Sequence, residues 1–309
     1  MVDPSGEAAP SRLAPLAPAP GNLAAIGAMV LATVAFVLGD AAMRLAAGAL
    51  PTGQSIFFRS LTSVLLAVAV AHAMGLLSQL RRAFVGWMGW RCAGDAGNSL
   101  LFQAALARMG FADIMGVLQL TPLTLTAASA LFLGAQVGWR RWAAVGAGLA
   151  GALLVIKPGT SAFTIWAVLA VAAVLCGTLR DIATRKLDNA IPTVIILLIS
   201  QSAVALAGFG LALFQGWVWP LPRDGALVVF AGVMTLLGHL GMIISLRIGE
   251  ISAVAPFRYS SVVWAILIGL VLFREVPDAW SLAGMAILVT AGLYAFHRER
   301  KLRAGAVQA

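Results

Sequence analysis

The chain is 309 residues long, 61% hydrophobic and only 11% charged, with a mean hydropathy of +0.95. Soluble domains are about 45–50% apolar, so this composition excludes a soluble globule; at about 20 residues per helical crossing there is material for about ten spans. The net charge of +9 comes without aromatics interleaved in a basic run, which excludes nucleic acid as a partner and points instead to the lysine and arginine bias of membrane loops.

Residues 1–21 are rich in proline, alanine and small polar residues, the composition of a disordered tail. The apolar run after them continues to full span length instead of ending at a small-residue cleavage site, so it is not read as a signal peptide. Ten apolar runs follow, at roughly 22–43, 54–75, 87–107, 113–134, 142–157, 163–180, 193–214, 226–246, 252–273 and 279–297. They are near-continuously apolar instead of alternating, which selects helices over barrel strands. The joints between them are too short for a folded extramembrane domain. With the N-terminus inside, the cytoplasmic side carries fourteen Lys and Arg and the outer side five (Arg44, Arg108, Lys157, Arg223 and Arg274); both termini are therefore expected in the cytoplasm. Residues 298–309 form a basic cytoplasmic tail. Cys92 and Cys176 lie far apart in apolar runs, with no CxxC or Cys/His spacing, so no disulfide, metal or cofactor is expected.

One unit is written twice. Asp40–Thr52 (DAAMRLAAGALPT) and Asp181–Thr193 (DIATRKLDNAIPT) share six identities in thirteen positions at an offset of 141. Arg108-x-Gly110 and Gln136-Val137 meet Arg247-x-Gly249 and Glu275-Val276 at an offset of 139. The expected units are residues 22–159 and 160–297. Five spans separate the copies, an odd number, so the expected fold is an all-α integral membrane protein of ten helices in two inverted five-helix repeats. Inverted repeats build secondary transporters with the solute between the halves near mid-membrane.

A charged residue at the centre of a span costs about 2.5–3.5 kcal/mol on insertion scales and wants a reason. Arg59 in span two and Arg258 in span nine, flanked by Pro256, Phe257 and Tyr259, are each open to two readings: a guanidinium gripping a carboxylate in the cavity, or a snorkelling or ion-paired structural side chain. Asp95 is read either as an i,i+4 partner of Arg91 or as a counter-ion or proton site. His239 is a candidate coupling residue or a packing histidine. Asn98, Gln103, Gln119 and Gln201 either bridge helices or contact a polar solute. Trp264 fills the core or stacks on a ring. The i,i+4 pairs Asp40/Arg44 and Asp181/Arg185 are expected as helix-end salt bridges or gate latches.

FFRS at 57–60, LQLTPLTLTAASALFLGAQVGWRRWAAVGAGLAGALLVIKPG at 118–159 and APFRYSSVVWAILIGLVLFREVPDAW at 255–280 resemble the drug/metabolite transporter superfamily, EamA type, over residues 22–300. The Asp-x-x-x-basic ends of spans one and six and the Pro-Phe-Arg-Tyr opening of span nine resemble its S-adenosylmethionine uptake branch. The resemblance implies a ten-helix inner-membrane carrier, a monomer or homodimer, moving a small-molecule solute through the lipid bilayer. Amino-acid-like or S-adenosylmethionine-like solutes are expected, with riboflavin or another vitamin as the alternative. No GxxxxGK[ST] nucleotide loop occurs, so a gradient or exchange must supply the energy. The three histidines at 72, 239 and 297 form no acid/base constellation, which argues against an enzyme, and the inverted monomer argues against a channel. The expected solute contacts are Arg59, Asp95, Asn98, Gln119, Gln201, Arg258, Tyr259 and Trp264; the expected coupling or gating residues are Asp40, Arg44, Asp181, Arg185 and His239.

Overall fold

The computed structural model describes residues 22–83, 86–133, 138–158, 164–188, 190–248 and 254–308. The expected N-terminal tail and the Gln136-Val137 half of the second sequence echo lie outside the described residues. Eleven α-helices run in order among those described: α1 (Asn22–Ala46), α2 (Thr52–Ala73), α3 (Gly86–Leu106), α4 (Phe111–Leu118), α5 (Thr121–Leu133), α6 (Trp139–Ile156), α7 (Ile165–Arg185), α8 (Thr193–Gln215), α9 (Pro222–Ile248), α10 (Ser260–Leu272) and α11 (Ala279–Gln308). Short 3-10 helices cover Leu77–Ala83 and Ala255–Tyr259.

Helix underlies every expected apolar run. Seven stretches are long and apolar enough to cross a membrane, with Pro256–Leu272 a shorter apolar helix. The two that fall below this mark, α3 and α6, are those that spend positions on polar groups: Arg91, Asp95 and Asn98 in α3, Arg140 and Arg141 in α6. The described residues carry no strand. The last helix continues as helix through most of the basic stretch expected as a tail.

Spans four and nine, expected as single helices, are each interrupted. The chain breaks between α4 and α5 at Gln119–Leu120, where the Gln119 and Leu120 amides reach back only three residues, to Gly116 and Val117. Pro122, two residues after Leu120, has no N–H to continue an α-helical ladder. In the other half the 3-10 turn at Ala255–Tyr259, with Pro256 at its start, leads into α10. Ser260 and Leu272, the ends of α10, each lie 139 residues after Thr121 and Leu133, the ends of α5. The two breaks meet: Gln119 Nε2 donates to Ser261 Oγ at 2.7 Å.

The most extensive packings all join an element of the first half to one of the second: α1 on α9, α2 on α8, α3 on α7 and α6 on α11. Small residues make the crossings close, as they do where apolar tails give helices no hydrophobic reason to associate. Gly53 of α2 lies against the Gly208 and Ala212 backbone of α8, and a Cβ on Gly151 of α6 would sit 2.8 Å from the Gly284 carbonyl oxygen of α11. The interior is apolar and alanine-rich, while large side chains such as Leu31, Phe132, Leu206, Phe214 and Val271 point outward. That inversion is what a lipid-facing surface requires.

Candidate functional site

Where charged groups sit in this apolar bundle, and what satisfies them, defines the site. The first group lies where α3, α7 and α8 meet. Gly94 brings α3 against the α7 backbone at Cys176 and Arg180, and one residue on, Asp95 receives the Arg180 guanidinium at 3.3 Å. Arg91 stands 3.8 Å from the other Asp95 oxygen and is hydrogen-bonded to Ser200 of α8. The Arg180 Nε donates to Asp181 at 2.9 Å. Two cations and two carboxylates thus close on one another. Asn98 Nδ2 ties the next turn of α3 to the Ala173 carbonyl at 2.8 Å, and Thr124 of α5 bonds Thr178 of α7 at 2.7 Å. The expected Arg91–Asp95 contact exists but is the longer of the two, so Asp95 is an interhelical counter-ion more than a local one.

A second group closes the end of the bundle that carries the α1 C-terminus. Arg44 pairs with Glu275, in the α10–α11 connection, and stacks over the Phe273 ring at 4.7 Å. The other Glu275 oxygen accepts the Phe111 amide, at the α4 N-terminus, at 2.8 Å. Nearby, Lys157, in a left-handed conformation at the end of α6 (φ 55°), bonds Asp278. The Lys157 bond, helped by the Ser281 amide that Asp278 caps, holds the Asp278 carboxyl below the usual carboxylate range. The expected pairs Asp40/Arg44 and Asp181/Arg185 are therefore corrected. Arg44 turns to Glu275, because aromatic rings and an anion converge at its tip. Asp181 is taken by its neighbour Arg180, and Arg185 reaches Ser129 of α5 at 3.4 Å instead.

Between these groups lies Arg59. It is 8% exposed, its Nε has no hydrogen-bond partner, and the nearest opposite charges are Asp40 and Asp95. One turn of α9 positions it. Gly232 lies against the Arg59 carbonyl and Thr62 of α2, while on the α1 side Gly39 lies against Ala231 and Met234. Ser63, one turn after Arg59, donates to the Gly232 carbonyl at 2.9 Å. Asp40 and Arg59 therefore flank the same turn of α9 without closing to ion-pair distance. Further polar atoms are buried without a partner: both ends of the Gln103 amide in α3, Gln201 Oε1 in α8 and the Trp264 indole nitrogen in α10.

The remaining expected residues separate. Gln119 bridges the two helix breaks and Asn98 bridges α3 to α7. His239 donates its Nδ1–H to the Thr235 carbonyl, 2.7 Å away, and sets its ring edge-on to Phe36; that is a packing histidine's environment. Tyr259 is buried and lies against Gly292 of α11. Arg258, in the 3-10 turn, is exposed, and the structure does not bring it to Arg59. Its long chain reaches the surface because the turn sits at the start of the span, the snorkelling geometry. The sequence reading missed Arg180, Ser200 and Glu275 as partners. Arg180 carries a signal in the sequence, standing directly before Asp181 at the edge of the repeated segment.

No family model matches the chain. Over 274 residues it is 27% identical to a pseudopaline exporter of Pseudomonas aeruginosa, a match covering 88% of this chain and 95% of that protein. It is 25% identical over 259 residues to a riboflavin transporter of Vibrio cholerae, covering 82% and 85%, and 26% identical over 181 residues to an S-adenosylmethionine uptake transporter of Rickettsia felis, covering 58% and 61%. One crystal structure superposes with a TM-score of 0.63 at 21% identity, over 89% of this chain and 98% of the other, a likeness of fold alone. The named relatives are transporters and none is named as an enzyme. Together with the apolar helices they support a multi-pass inner-membrane protein of the drug/metabolite-transporter type.

Proposed function

We propose that this protein is a secondary carrier that moves a small organic metabolite across the inner membrane by alternating access. The observation that carries the reading is Arg59: a buried guanidinium, unpartnered at Nε, between α1, α2 and α9, with a closed charged cluster on one side of it and a cross-half ion pair on the other. A cation held in apolar surroundings without a full set of acceptors is a site for an anionic group that comes and goes. Gln201 and Gln103 add unfilled amide groups on α8 and α3.

The ten-helix inverted arrangement, with both termini cytoplasmic, belongs to the same reading. Its supports are the lysine and arginine bias, the matched bounds of α5 and α10, and a packing order that is unchanged when the halves are exchanged. Interrupted helices in corresponding positions of two halves mark the solute region in carriers of this kind. In the two-gate scheme, Arg44–Glu275 closes the outer end and the Asp95–Arg180 cluster the inner one. The solute is amino-acid-like or S-adenosylmethionine-like, with riboflavin as the alternative that the Vibrio cholerae relative favours.

The test is counterflow in proteoliposomes loaded with S-adenosylmethionine or riboflavin, comparing the native protein with Arg59→Ala. Saturable S-adenosylmethionine exchange that Arg59→Ala lowers at least tenfold is expected; saturable riboflavin exchange in its place favours the alternative solute. Exchange insensitive to Arg59→Ala removes the site. Non-saturable flux proportional to concentration removes the carrier in favour of a pore.

A further inference from the structure

We infer that Asp40 is the second ionic contact of the solute site, so that the solute carries a cationic group as well as its anionic one: a zwitterion rather than a simple anion. This rests on the carrier reading of Arg59.

The inference starts from what the two repeats do with the same acid. At the offset of 141, Asp40 stands where the second copy has Asp181. The residue before Asp181 is Arg180, whose Nε bonds it at 2.9 Å. The residue before Asp40 is Gly39, which has no side chain to offer and instead lets α1 settle against Ala231 and Met234 of α9. The same offset places Arg59 opposite Ser200. One copy thus holds an acid with a built-in counter-ion; the other holds an acid and a base on separate helices.

Asp40 is aimed inward by its register. Thr33, Asp40 and Arg44 share one face of α1. Thr33 Oγ1 is 2.8 Å from Ser260 Oγ at the start of α10, and Arg44 reaches Glu275 beyond the end of α10. Asp40, between them, faces the junction of the halves. Arg44 is the cation nearest in sequence, and it is taken. Lys157 is also engaged, at Asp278. The charges that face Asp40 across its neighbours are Arg59 on α2 and, past Arg59, the Asp95 cluster, whose own charges already balance. An ion pair between Asp40 and Arg59 would satisfy both side chains at once, yet the backbone contacts at Gly39 and Gly232 keep them on opposite flanks of one α9 turn. A carboxylate and a guanidinium on two helices, coupled electrostatically but not ion-paired, suit a solute that brings one charge of each sign. An ammonium on Asp40 and a carboxylate on Arg59 answer both side chains, and neither charge is then left uncompensated.

Counterflow with reconstituted full-length protein tests this on two probes. S-adenosylmethionine carries an ammonium and a carboxylate; riboflavin carries neither at neutral pH. The expected result is S-adenosylmethionine exchange with KM raised at least tenfold in Asp40→Asn, restored toward native in Asp40→Glu, and no riboflavin exchange. A thermal midpoint of Asp40→Asn in detergent close to native keeps folding out of the comparison. Riboflavin exchange, or S-adenosylmethionine exchange with native KM in Asp40→Asn, overturns the zwitterion inference and leaves the carrier standing. Absence of exchange of both probes by folded native protein overturns the inference and removes its support in the carrier reading together.

Discussion

Removing the Glu275 carboxylate tests the outer closure directly. Glu275 holds two groups from different parts of the chain: the Arg44 guanidinium of α1 through Oε1 and the Phe111 amide of α4 through Oε2 at 2.8 Å. Its side chain is 35% exposed and that of Arg44 16%, so solvent screens the pair and the full value of a buried bridge does not apply. What remains is one partly screened charged hydrogen bond and one amide left without its acceptor, about 1–2 kcal/mol together. The contacts join α1 to the α10–α11 connection, so they are broken when that end opens. Their loss therefore shifts the balance toward the open form by a factor of roughly 5–30. The assay is labelling of a single cysteine at Val37, buried on α1 between Thr33 and Arg44, by a membrane-impermeant maleimide added from the outer side, with Cys92 and Cys176 replaced by alanine. Glu275→Ala is expected to raise the labelling rate about five- to thirty-fold, by the same population arithmetic. An unchanged rate in a protein of native thermal midpoint would refute the latch.

Asp95→Ala strips the carboxylate between Arg91 and Arg180 and leaves two cations facing each other; a loss of about 3–5 kcal/mol is expected from breaking a buried pair on one side only, read as a lowered unfolding midpoint in detergent. Gly151→Val forces a side chain into the Gly284 backbone of α11, an overpacking cost of about 1–3 kcal/mol, with Gly146→Val, which meets nothing within 4 Å, as the neutral control. The loss of exchange from Arg59→Ala is expected to exceed that from Arg258→Ala, since only the former is buried. The Asp278 carboxyl is held below its unfolded value by Lys157, so its contribution is present above the ordinary carboxylate range and is lost as pH falls through the lowered folded value. Lys157→Met should flatten the acid limb of a stability-against-pH curve; a limb unchanged by that substitution would show that the pair contributes nothing.

Sequence pattern read the broad architecture well. Ten apolar runs coincide with helical stretches because a chain in lipid must satisfy every backbone amide internally, and that requirement writes length and hydropathy directly into the sequence. Asn98 and Gln119 bridge helices, one of the two readings that their residue type left open. Pairing did not. Local spacing joined Asp40 to Arg44 and Asp181 to Arg185, yet the structure takes Arg44 to a glutamate 231 residues away and Asp181 to its own neighbour.

Composition and periodicity by themselves determined that this is a helical membrane protein, because burial in lipid acts on each span separately. Only the tertiary structure decided which charges are spent and which stay open. An ion pair depends on which helix faces cross, and that is set by small-residue contacts such as Gly39 on Ala231 and Gly232 on Arg59, far apart in the chain and silent in any local pattern.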